Sequence, residues 1–336
     1  MKIIRYCLVF ILLPLSMLGC SGPETTKVTG LSMGTVITLI FPKGMRPSSN
    51  IVDKAFSEIE RIDRLMSDYD GDSEISRLNR LNPRERTEIS SDTYKVLSKS
   101  IEVSRKTEGA FDVTAAPLVK LWGFRGDGPR KIPSRDMVRA YKGMVDYRNI
   151  DIYISDKGVS FSGFGTEIDL GGIAKGYAID RAAAALAGEG VRSVIVDAGG
   201  DMYCLGRRDD GNRWKVGIRD PRDKNKLFAT LELEDKAIAT SGSYENFVMI
   251  DGKRYSHIID PRTGYPADNG VLSVSIIADD AMTADSMATA VFVMGRERGM
   301  EFVRRDAGLE AVIIYEDGGE TKMEISEGLK GKVSIL

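Results

Sequence analysis

A chain of 336 residues, 42% hydrophobic and 29% charged, is long enough to bury one large core or two lobes and has an ordinary globular composition. Its formal net charge of −2 comes without a block of like charges, which argues against nucleic acid as a partner.

The opening "MKIIRYCLVFILLPLSMLGC" has a basic start (Lys2, Arg5), a short apolar stretch and Gly19 before Cys20. Residues 1–19 therefore read as a signal peptide, too short to be a spanning helix. Leu18-Gly19-Cys20 resembles a bacterial lipobox, which makes Cys20 the lipidated first residue of a membrane-anchored lipoprotein facing the periplasm. Ser21, where Asp is absent, points to the outer membrane. With Cys7 removed and Cys20 acylated, Cys204 has no disulfide partner, and stability must come from a large core. Residues 20–27 read as the lipidated end and a polar tether, with the folded part spanning 28–336.

"GTVITLIF" (34–41) predicts a strand, and apolar residues from Ile51 to Met66 recur at helical spacing. A second helix is expected from a cap at Ser91/Asp92, stopping by Gly109. The segment "DGPRKIPSRD" (127–136) reads as a surface loop or a lobe boundary. Strand-like 191–197, 271–277 and 311–315 then alternate with helix-like 174–187 and 282–295, which predicts a mixed α/β (α+β) fold.

Several stretches carry groups suited to chemistry. "EIDLGGIAKGYAID" (167–180) places a glycine pair and Lys175 at a helix start, a cradle for a diphosphate or an ordinary strand-to-helix turn. "DAGGD" (197–201) sets two carboxylates around two glycines, as a site wall or a self-satisfied turn. Asp285 and Thr289 are four apart on one helix face, where both offer hard oxygens to Mg²⁺ or serve cap and core. His257, the only histidine, sits beside the Asp260-Pro261 turn, as proton carrier or turn contact. It has no second histidine for a zinc site, and "TSGSY" (240–244) lacks the G-x-S-x-G elbow of a serine hydrolase.

Together these stretches resemble the ApbE family, the bacterial FAD:protein FMN transferases. The matching runs fall in family order: "SMGT" (32–35), "MSDYDGDSEISRLN" (66–79), "GAFDVTAAPLVKLWGF" (109–124), "EIDLGGIAKGYAID", "DAGGD", "ATSGSYE" (239–245), "HIIDPRTGYP" (257–266) and "DDAMTADSMATAVFVMG" (279–295). The resemblance implies two interlocked lobes with FAD between them, and Mg²⁺-dependent cleavage of the FAD diphosphate. FMN passes to a Thr or Ser of an exported redox flavoprotein subunit, and AMP is released. FAD hydrolysis to FMN and AMP is the alternative, and flavin binding without catalysis a second.

The same resemblance assigns flavin contacts to Met33 and Tyr69, and adenosine contacts to Ala110, Phe111 and Asp112. Asp169, Lys175 and the backbone near Ile259 are implied as further FAD contacts. The Mg²⁺ ligands are expected to be the Gly172 carbonyl, Asp285 and Thr289. His257, also near the FAD, and Asp285 are the candidates for accepting the proton of the attacking hydroxyl.

Overall fold

The computed structural model describes residues 25–125, 131–244 and 246–336; the expected signal peptide and Cys20 lie outside them. Eight strands make the central sheet: β1 (Thr26–Ser32), β2 (Thr35–Phe41), β3 (Val194–Ala198), β4 (Asp201–Leu205), β5 (Lys236–Gly242), β6 (Val271–Ala278), β7 (Glu310–Asp317) and β8 (Glu320–Ile325). They lie side by side in chain order. Each pairs antiparallel with the next. The sheet is thus a meander, and the helices and most of the smaller strands are insertions between its neighbouring strands.

Between β2 and β3 the chain builds α1 (Ser49–Met66), α2 (Ser91–Lys106) and α3 (Ala174–Gly188), and between β6 and β7 it builds α4 (Ala281–Met294). Strand side chains alternate between faces, so neighbouring residues serve different cores. Val194, Val196, Ile276 and Ile313 join the core beneath the helices. Ile195, Ile277, Val312 and Ile314 face the other way, onto Trp214, Val216, Leu231 and Leu233. Those last four belong to a three-stranded sheet of Trp214–Arg219, Leu227–Leu233 and Val333–Ile335. Buried on nearly every side, α4 is mostly apolar, as its sandwiched position requires, with Asp285 and Ser286 as buried polar exceptions.

A smaller cluster of Leu118, Trp122, Val138 and Ile259 forms a second lobe, tied by the Trp122 indole N–H donating to the Gly264 carbonyl at 2.9 Å. Its residues come from two separate insertions in the sheet, so the lobes interlock. Trp122 and Val138, from either side of the 127–136 segment, pack in this one cluster.

Three boundaries differ from the sequence reading. Thr26 and Lys27, read as tether, belong to β1, because β1 pairs with β2 along its whole length from Thr26 opposite Phe41. The cap of α2 is Ser90, whose hydroxyl accepts from the Thr93 N–H at 3.2 Å, so the helix starts one residue into the expected cap. Arg135 and Asp136, read as loop, open the helix Arg135–Lys142 behind a Ser134 cap.

Candidate active site

The β1–β2 hairpin turns through Met33 and Gly34, both with positive φ (52° and 70°), as a two-residue type I′ turn demands. A methionine in this conformation is strained, and Asp63 of α1 holds it there by accepting from the Met33 N–H at 2.8 Å. Gly199, at φ +68°, packs against the same hairpin; a Cβ on it would stand 2.5 Å from the Thr35 hydroxyl. Glycine is required at that approach, which brings "DAGGD" against "SMGT".

The two carboxylates of "DAGGD" part ways. Asp197 accepts from the Gly200 N–H at 2.8 Å, the self-satisfied turn. Asp201 is buried, accepts from the Thr240 N–H at 2.9 Å and holds the Lys175 ammonium in an ion pair. Lys175 also stands 3.6 Å from Asp285. Asp285 takes its other contact from the Gly176 N–H at 3.0 Å. Burial pushes the Asp285 carboxyl up, and the Lys175 ammonium pulls it back.

One turn further along α4, the Thr289 hydroxyl lies 3.3 Å from that of Ser241. A Cβ on Gly172 would sit 3.2 Å from the Thr289 hydroxyl and 3.3 Å from the Phe111 ring, so these three residues converge. Asp285, Thr289 and the Gly172 carbonyl supply only oxygen donors, the chemistry that suits Mg²⁺. Among the described residues no group of three or more His, Cys, Asp or Glu is placed to hold a metal. A cation here therefore relies on one carboxylate and neutral oxygens.

Phe111 is buried beside Ala110, and the Asp169 N–H donates to the Val113 carbonyl at 2.7 Å, placing the two segments side by side. Asp169 accepts from the Gly171 N–H and from Arg125, both at 2.7 Å. The Arg125 guanidinium also pairs with Asp68 and lies 5.1 Å from the Tyr69 ring centroid. Tyr69 is 79% exposed, an open aromatic face beside the end of α1 that carries Asp63. The contacts thus trace a rim from Met33 and Gly199 through Asp201, Lys175, Asp285, Thr289, Phe111, Asp169 and Arg125 to Tyr69.

His257 is half-buried, and both its backbone N–H (3.1 Å) and its ring Nδ1 (2.8 Å) meet the Asn246 carbonyl. A carbonyl only accepts, so Nδ1 carries the proton and Nε2 keeps a free lone pair. Desolvation lowers the imidazole pKa below its usual 6.5; the Asn246 carbonyl and the Asp169 charge oppose that shift, and Lys175 adds to it.

Two residues from the sequence reading turn elsewhere. Asp112 spends its oxygens on the Thr114 N–H (2.8 Å), the Thr114 hydroxyl (2.7 Å) and the Tyr147 N–H (2.9 Å), so its side chain holds its own loop together. The Ile259 side chain is buried in the small lobe while its backbone pairs with Pro266. Four site residues were not singled out from the sequence. Asp201, Ser241 and Asn79 lie within the quoted runs, and Asn79 clamps the Ile168 backbone by two hydrogen bonds of 2.9 and 2.7 Å. Arg125 directly follows "LWGF".

A model of the ApbE family matches residues 33–313. The chain is similar to the FAD:protein FMN transferase of Vibrio cholerae, 36% identical over 308 residues, covering 90% of this chain and 91% of that one. It is also similar to two solved structures. One is the ApbE protein of Thermotoga maritima, with TM-score 0.84 and 34% identity, covering 92% of this chain and 99% of that one. The other is the flavin transferase ApbE of Vibrio cholerae, with TM-score 0.82 and 33% identity, covering 93% and 100%.

Proposed function

The chain belongs to the ApbE family, and from that premise we propose that it is a Mg²⁺-dependent FAD:protein FMN transferase, anchored as a periplasm-facing lipoprotein through Cys20. Its relatives carry that transferase name. The observation that carries the reading is the convergence of Lys175, Asp285, Thr289 and Gly172, a cationic group beside oxygen ligands, with the basic His257 within electrostatic reach of Lys175 and Asp169.

Gly172, Asp285 and Thr289 would hold Mg²⁺, which when bound neutralises charge developing on the diphosphate. Lys175 adds a fixed positive charge at the start of α3, where helix and ammonium together favour an anion. Asp201 keeps that ammonium aimed at the site. The hydroxyl of the acceptor attacks the flavin-side phosphorus, a P–O bond to FMN forms, and the bond to the AMP phosphate breaks. His257 Nε2, kept unprotonated by desolvation and fixed as the lone-pair nitrogen by the Nδ1–H bond, receives the hydroxyl proton. Phe111 offers an apolar wall to the adenine, and Tyr69 and Met33 face the isoalloxazine side.

Replacing His257 with Ala tests this assignment. FAD affinity should stay within about twofold while turnover falls by about 10² or more, the usual contribution of a general base. Unchanged turnover would remove His257 from the chemistry.

A further inference from the structure

A concave groove of about 500 Å³ is lined by Trp122, Tyr255, Tyr265 and Ala267, with Ser243 and Leu272. Two of its walls run directly out of the candidate site. Ser243 lies two residues beyond Ser241, whose hydroxyl meets Thr289. Tyr255 and Ser256 of the strand Lys253–Ser256 line the groove, and His257 directly follows the end of that strand. The hairpin made with Phe247–Ile250 is held to His257 through the Asn246 carbonyl. The aromatic lining is ordered: the Trp122 ring centroid lies 5.7 Å from those of both Tyr255 and Tyr265.

We propose that this groove docks the acceptor protein, taking an apolar side chain close in sequence to the hydroxyl that receives FMN. The inference rests on the transferase reading. A protein acceptor must lay its chain against the enzyme within a few residues of His257, and Ser256 of the groove lining immediately precedes that residue. Aromatic walls that meet tilted and edge-on, with Lys253 and Asp268 paired at 2.9 Å, suit an apolar anchor inside a polar segment rather than a highly charged one.

The test uses Tyr265→Ala, which removes a wall that is 38% exposed, and Ala267→Trp, which fills the groove. The probe is the flavin-free form of a redox subunit that carries phosphoester-linked FMN on a threonine. Each variant should raise KM for this acceptor about tenfold or more, as loss of an interface anchor does, while kcat at saturating acceptor and FAD affinity stay within about twofold. Parent-like KM in both variants, with transfer by the unaltered enzyme intact, overturns the groove alone. Absence of transfer by the unaltered enzyme overturns the transferase reading, and the groove with it.

Discussion

The single histidine becomes chemically specific only through its neighbours. With Nδ1 donating to Asn246 and desolvation holding its pKa below 6.5, the ring is neutral across neutral pH. Turnover should therefore rise as pH increases through a value below 6.5 and then level off, because only the unprotonated Nε2 accepts a proton; a kcat profile checks this limb, and His257→Ala should abolish it. The same shift has a sign for stability. The unfolded chain protonates first as pH falls below 6.5, so the folded state loses stability there and gains nothing above it. Asp285 is the other decisive residue. Its Gly176 N–H bond and Lys175 contact fix the carboxylate one turn before Thr289 on α4, and Asp285→Ala should leave whatever activity remains insensitive to Mg²⁺. Titrating activity against Mg²⁺ measures it, and ordinary stimulation in the variant would sink the metal assignment.

At the level of elements, the close approach of α3 to the start of α4 positions that carboxylate. A Cβ on Gly176 would fall 2.1 Å from the Ala281 carbonyl oxygen and 2.7 Å from the Met282 Cα, both backbone atoms that cannot step aside. Gly176→Ala should therefore destabilise the fold by about 2–3 kcal/mol, the scale of an overpacked core, and weaken Mg²⁺ affinity as α4 shifts; denaturant unfolding and Mg²⁺ titration read the two effects. Much of this was legible beforehand. The apolar periodicity of α1 and the capped start of α2 follow from local chemistry, as does the Asp285/Thr289 spacing on α4. Less legible was β1, whose "TKVTGLS" alternates weakly and becomes a strand through pairing with β2. Asp201 and Asp197 look equivalent in "DAGGD", and only the tertiary approach of Lys175 and Thr240 separates the one that serves the site from the one that serves its turn.

Across the whole molecule, a meander sheet supplies a rigid floor and its insertions supply the site. The helical insertions bring Phe111, Asp169, Lys175 and Asp285 to one rim, and the insertion between β5 and β6 carries His257 and the groove wall. No described helix is long and apolar enough to cross a membrane. In the proposed arrangement, attachment rests on Cys20 ahead of the strand that begins at Thr26. Residues from distant segments meet at the site, so global unfolding should abolish FAD and Mg²⁺ binding together. The most direct test of the central claim is mass spectrometry of the acceptor subunit after incubation with the enzyme, FAD and Mg²⁺, with AMP measured in the same reaction. The account predicts one FMN added to a Thr or Ser of the acceptor for each AMP released, and AMP released without any labelled protein would contradict it.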